Sequence, residues 1–193
     1  MRSIRSPDTP CGLMTEEKND DFWVFGYGSL MWRPGFSFLE SRQARLTGLH
    51  RALCVYSWVH RGTRERPGLV LGLDPGGACL GLGFRICPSQ RDQVVAYLRE
   101  REQVTNVYLE QWRRIRFSDG SHVNALTYIV DRSHAQYAGK LSPATQISMI
   151  DGAVGRSGAN PDYVISTAAR LNDLGIHDSR LFDISTRLQT GRR

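Results

Sequence analysis

Lysine is nearly missing from this chain: of its 25 basic residues only Lys18 and Lys140 are lysines, and the other 23 are arginines. The formal net charge of +6 raises nucleic acid as a partner, but a nucleic-acid footprint is a concentrated stripe. Here arginine is scattered from Arg2 to Arg193, densest at Arg61/Arg64/Arg66, Arg99/Arg101 and Arg113/Arg114/Arg116. No predicted strand interleaves basic and aromatic residues, so no nucleic-acid partner is expected, and the charge suits a small anionic substrate equally well. Cysteine is scarce too. The four residues at 11, 54, 79 and 87 form no C-x-x-C and are expected to be reduced, the last three buried. The histidines (His50, His60, His122, His134 and His177) give no i,i+4 pair and no cysteine at ligand spacing, so no metal site is expected. No stretch approaches the ~18 apolar residues of a membrane span; residues 69–84 come nearest and are broken by Asp74 and a Gly-Gly pair. The N-terminus lacks the apolar segment of a signal peptide and soon reaches Glu16, Glu17, Asp20 and Asp21, which points to a cytoplasmic protein without a membrane partner. G-x-S-x-G and G-x-x-x-x-G-K-[ST] are both absent, which removes the serine-hydrolase elbow and the P-loop.

What is present fits one domain of ordinary size, with 193 residues and 40% apolar content to build a core. Residues 1–21 are polar and are expected to form a disordered tail; 22–193 are expected to form a single domain. Strands are predicted at 22–25, 44–58, 69–73 and 80–86, with Asp74-Pro75-Gly76-Gly77-Ala78 as a hairpin turn between the last two. Pro88 opens a helix that runs to Glu102. Residues 111–117 and 122–130 read as a hairpin around Asp119-Gly120. Helices follow at 143–154, at 161–174 and from Ser179, with Pro143 and Pro161 just inside the starts and Gly155 and Gly175 just past two ends. Strands first and helices last, joined by hairpins, define an α+β fold: a curved mixed or antiparallel sheet, or small β-barrel, with flanking helices.

Two segments carry chemistry. Gly26-Tyr27-Gly28-Ser29-Leu30 follows the first strand directly. A dinucleotide fingerprint needs a third glycine where Met31 stands, so that reading fails. There remains either a tight turn or a loop whose N–H groups and Ser29 hydroxyl approach an anion or an oxyanion. The second segment is Arg99-Glu100-Arg101-Glu102. At about 100° per residue, Val94, Val95 and Leu98 define the inward stripe, which leaves Glu100 outside and turns Glu102 inward. A carboxyl there meets desolvation and the negative helix end, both of which raise its pKa and suit it to acid–base work. The competing reading is a buried ion pair, with Arg91 or Arg51. Asp162 and Tyr163, near the start of a late helix, read as an N-terminal acid and a packing ring.

Together these segments resemble a known family. Val24-Phe25-Gly26-Tyr27-Gly28-Ser29-Leu30-Met31-Trp32 resembles the signature loop of the ChaC-type gamma-glutamylcyclotransferases. The resemblance continues through Arg61-Gly62, Pro67-Gly68, Tyr97-Leu98-Arg99-Glu100-Arg101-Glu102, Tyr137-Ala138-Gly139-Lys140-Leu141 and the stretch from Gly155 to Tyr163. It covers about residues 22 to 190 and is nearest the bacterial branch. It implies cleavage of glutathione to 5-oxoproline and cysteinylglycine without a cofactor. It also implies that Glu102 is the catalytic acid/base, and that Val24, Phe25, Gly26, Tyr27, Gly28, Ser29 and Leu30 line the substrate together with Tyr163. The substrate's own amine is the nucleophile in such a reaction, which agrees with the missing protein nucleophile. The same chemistry on another gamma-glutamyl amide or amine stays open, as does a basic nucleic-acid-binding module.

Overall fold

The structure, a computed structural model, describes residues 22–191; the tail expected at 1–21 lies outside them. The chain is α+β. Five strands close into a barrel in the order β1-β3-β2-β4-β5: β1 Phe22–Gly26, β2 Glu40–Ser57, β3 Gly68–Ile86, β4 Tyr108–Phe117 and β5 His122–Val130. A two-stranded hairpin, β6 Val154–Gly155 and β7 Gly158–Ala159, and four helices complete the fold: α1 Arg91–Glu102, α2 Pro143–Ile150, α3 Asn160–Asp173 and α4 Ser179–Thr190. None of the described helices is long and apolar enough to cross a membrane. By compactness the described residues form two units, one of 22–50 and Pro75–Ile129, the other of Arg51–Asp74 and 130–191.

In the first unit β1 lies between two partners. It pairs antiparallel with β3, Phe22 opposite Ile86 and Gly26 opposite Leu82, and parallel with β5, Trp23 opposite Ala125. All five residues of β1 are buried, as expected of a short strand with covered faces. β2 pairs antiparallel with β4, Ala44 opposite Phe117. The Trp23 and Phe117 rings stand 5.0 Å apart, and Phe84 takes Phe36 and Phe38 edge-on. A 3₁₀ turn at Pro88–Gln90 precedes α1, so the predicted helix start resolves into two pieces. Val94 and Leu98 are buried on α1, while Arg99 and Glu100 are exposed.

The hairpin expected at 74–78 does not form. β3 is one strand of 19 residues that runs through Asp74-Pro75-Gly76-Gly77. Gly76 and Gly77 take φ of +100° and +68°, left-handed conformations that glycine adopts without strain. Asp74 is buried and satisfied within the second unit: Arg132 Nε lies 2.9 Å from Oδ1, and the Tyr137 hydroxyl donates to Oδ2 at 3.0 Å. Proline and glycine signal a reversal, and here the strand runs on through them instead.

The second unit holds three helices, with α4 packed against α2 and α3. Ser142 caps α2 by accepting from Thr145 N, and Asp178 caps α4 by accepting from Leu181 N. α3 ends in a Schellman motif at Gly175 (φ +66°), with Ile176 N bonded to Leu171 O and Gly175 N to Asn172 O. α2 stops at Ile150, four residues short of the expected end. Val154 and Gly155 pair instead with Gly158 and Ala159, and Arg156 N and Ser157 N bond to Val59 O and His60 O. Cys54, Cys79 and Cys87 are all buried, as expected.

Candidate active site

Gly26, the last residue of β1, has no room for a side chain: a Cβ there would come within 2.9 Å of Phe84 Cε2 and 3.1 Å of Leu30 Cβ. Tyr27 is buried and its hydroxyl donates to Tyr128 O at 3.0 Å, which ties the loop to β5. The chain turns at Gly28 and winds one 3₁₀ turn over Ser29–Met31. Met31 N bonds to Gly28 O, and Trp32 N and Arg33 N both bond to Ser29 O. The side chains of Val24 and Phe25 are in the core, 0% and 1% exposed, so what they can offer a ligand is backbone. Ser29 is half-buried.

Glu102 is the last residue of α1, and its side chain is 19% exposed. Burial raises its pKa above the ordinary carboxylate value, and the charge and hydrogen bond of Arg101 offset part of that rise. The helix end adds negative potential of its own. The ion partner of Glu102 is its chain neighbour, Arg101 Nε at 3.1 Å from Oε1. The pairs considered from sequence are not the ones made: Arg91 lies over the rings of Phe22 and Trp112, and Arg51 meets Asp178 at 3.2 Å.

Arg101 also joins the helix to the loop. Its Nη2 donates to Ser29 Oγ at 2.9 Å, and its Nη1 lies within hydrogen-bond distance of Arg33 O (2.7 Å), Pro34 O (3.1 Å) and Tyr97 Oη (2.9 Å). One guanidinium therefore touches the carboxylate and the loop together. Gly35 (φ +78°) lets the chain pass the Tyr97 ring, because a Cβ there would fall 2.0 Å from Tyr97 Oη. Farther along, the Tyr128 hydroxyl donates to Glu110 Oε2 at 3.2 Å, and Arg99 grips both oxygens of Glu110 at 2.8 Å. Arg99 holds the Glu110 carboxyl below its ordinary pKa, whereas burial and then the charge of Glu110 push the Tyr128 phenol up, with the charge of Glu102 adding to the rise. Two glutamates near one tyrosine are thus driven apart, one toward permanent ionisation and one toward proton exchange.

Tyr163 belongs to the second unit. Its hydroxyl accepts from Leu71 N at 3.2 Å, and its ring stacks under the Arg61 guanidinium, 5.4 Å from the centroid. Beside it Asn160, 0% exposed, accepts from Leu69 N at 2.6 Å and donates to Leu69 O at 2.9 Å. Gly62, Gly68 and Gly155 meet around the same segment: a Cβ on Gly62 would be 2.2 Å from Gly68 N, and one on Gly155 2.6 Å from Gly62 N. The motifs at 61–62, 67–68 and 155–163 are thus neighbours in space. Sequence reasoning missed Arg101 as a connector and Asn160 as a backbone mimic. The signal for Arg101 was its position one residue before Glu102 and four after Tyr97. Among the described residues no three His, Cys, Asp or Glu side chains come together to hold a metal ion.

The chain is an α+β barrel protein in which a mostly buried carboxylate at a helix end shares one guanidinium with a glycine loop at a strand end. The family model of the ChaC-like proteins matches residues 22–190, and the chain belongs to that family. A relative from Escherichia coli (strain K12), named glutathione-specific gamma-glutamylcyclotransferase, is 37% identical over 162 residues, 84% of this chain and 70% of that protein. A Danio rerio protein, glutathione-specific gamma-glutamylcyclotransferase 1, is 33% identical over 174 residues, 86% of this chain and 88% of that one. The crystal structure of a yeast gamma-glutamyl cyclotransferase specific to glutathione has the same fold, with a TM-score of 0.82 at 21% identity over 89% of this chain and 97% of that chain.

Proposed function

We propose that this protein cleaves glutathione by letting the substrate attack itself. The α-amine of the gamma-glutamyl group adds to its own γ-carbonyl, a C–N bond forms to close a five-membered ring, and the amide C–N bond breaks. The products are 5-oxoproline and cysteinylglycine. Glu102 takes the proton from the α-ammonium, whose reference pKa is about 8, and returns one to the departing amine. The observation that carries this reading is the Glu102 carboxyl itself, mostly buried and raised in pKa, one guanidinium away from the Gly26–Leu30 loop. Such general acid–base help is worth ~10²–10⁴ in rate. Backbone N–H groups of the loop supply the oxyanion site, where charge develops on the carbonyl oxygen as the ring closes. Val24 to Leu30 hold the gamma-glutamyl group through backbone and the Ser29 hydroxyl, and Tyr163 is a further substrate contact. Cys54, a buried thiol outside any disulfide, fits a cytoplasmic setting, with neither nucleic acid nor a membrane as partner.

The names of the E. coli and zebrafish relatives favour glutathione over other gamma-glutamyl amides. The test is a substrate panel: purified protein with glutathione and with gamma-glutamyl dipeptides lacking the glycine, following 5-oxoproline. The reading expects glutathione to be turned over with the highest kcat/KM. Product from the dipeptides alone would move the substrate assignment, and no product from any of them would remove the reaction.

A further inference from the structure

We propose that Arg101 is a positioning residue for this reaction, its guanidinium holding the Glu102 carboxylate and the strand-end loop in one fixed geometry. The inference rests on the reading of Glu102 as the acid–base group. Arg101 is mostly buried, 19% exposed at the side chain, and its donors are spent on two structures at once. Nε faces Glu102 Oε1, Nη2 faces Ser29 Oγ, and Nη1 faces the carbonyls of Arg33 and Pro34 and the Tyr97 hydroxyl. A planar fork with five donors can serve a carboxylate on one edge and a loop on another, while a lysine ammonium is a single point on a flexible stem. Fixing Glu102 to the loop fixes the distance between the group that moves the proton and the segment that holds the reacting carbonyl. Misplacement by about 1 Å at such a site costs ~10² in rate.

The charge matters as well as the shape. The charged group in contact with Glu102 is Arg101, whose Nη1 also meets the Tyr97 hydroxyl; Tyr128 on β5 feels the charge of Glu102, and its hydroxyl donates to Glu110 on β4, which Arg99 pairs. Arg101 is the cation that offsets the burial of Glu102, so its removal leaves a carboxyl that holds its proton to higher pH. A purely structural clip would not do this.

The experiment measures kcat, KM and the pH dependence of kcat/KM for wild type, Arg101→Gln and Arg101→Lys, with folding checked by circular dichroism. For Arg101→Gln the expected result is an acid limb displaced to higher pH and a kcat about 10²-fold lower at neutral pH. For Arg101→Lys it is an acid limb close to wild type, because the charge stays, with kcat still at least tenfold lower because the fork is gone. KM should change less than kcat in both. An Arg101→Gln enzyme with reduced rate and an unmoved acid limb would overturn the inference, and so would wild-type kcat in both variants. Where Arg101→Gln does not fold, wild-type kcat in Arg101→Lys overturns it alone. A wild type that makes no 5-oxoproline removes the Glu102 reading and this inference together. An active wild type with a dead Glu102→Gln and unaffected Arg101 variants removes this inference only.

Discussion

Asn160→Ala is the substitution whose cost follows most directly from the structure. Asn160 is wholly buried at the start of α3, and its amide does for Leu69 what a neighbouring strand would do, accepting from Leu69 N at 2.6 Å and donating to Leu69 O at 2.9 Å. Truncation strands both backbone groups of a residue that is itself 0% exposed. Each stranded group costs about 1–3 kcal/mol, so the pair costs roughly 2–6 kcal/mol. For a chain of this size about 2–4 °C of Tm is lost per kcal/mol, which makes a fall of at least about 4 °C. The assay is urea and thermal unfolding by circular dichroism, where the midpoint should move while the urea slope stays constant. Asn160→Asp sharpens the test. It keeps the acceptor, loses the amide donor and buries a charge, so its defect should be severe at neutral pH and should ease in acid, where a protonated carboxyl can donate to Leu69 O. A loss under about 0.5 kcal/mol for Asn160→Ala, the scale of an ordinary surface substitution, would refute the reasoning.

Glu102→Gln should alter stability in a pH-dependent way. A carboxyl with raised folded pKa contributes stability that is fully present below its unfolded value of about 4.3 and is lost as pH rises through the folded value. The variant should therefore match wild type in acid and gain on it toward neutral pH; a gap independent of pH, measured by thermal unfolding, contradicts this. Gly62→Ala places a Cβ 2.2 Å from Gly68 N and 2.5 Å from Ser57 O, both backbone, and should cost about 3 kcal/mol or more. Soluble protein with unchanged Tm would count against that packing. The Cys54 thiol is pushed up to about 12 by burial and then by the charge of Asp74, so alkylation at pH 8, read by peptide mass spectrometry, should spare Cys54 until the protein is unfolded.

The sequence reads well where one local rule acts alone. Val94 and Leu98 orient α1, and the same wheel separates exposed Glu100 from mostly buried Glu102. Pro143 and Pro161 fall at the first or second position of their helices, and Gly175 closes α3. Legibility fails where tertiary partners decide. Asp74-Pro75-Gly76-Gly77 carries every sign of a reversal, yet β3 continues, because glycine tolerates the backbone of a turn and of a continuing strand alike and only the pairing strands choose between them. Tyr108, Leu109 and Glu110 join β4 ahead of the strand expected at 111–117; the Arg99 pair with Glu110 is formed across an element boundary that spacing does not reveal. The loop at 26–30 and the carboxylate at 102 are each visible alone. What links them, a guanidinium reaching from α1 to Ser29, is a contact over more than 70 residues of chain and leaves no periodic trace.

The claim that one buried carboxylate moves the proton stands or falls on the rate of 5-oxoproline release from glutathione by Glu102→Gln beside wild type, at equal folded concentration. The substitution nearly preserves volume while removing the carboxyl's charge and its ability to exchange a proton. The account predicts active wild type and a variant slower by ~10²–10⁴. A variant within about threefold of wild type, far short of the acid–base range, would contradict it.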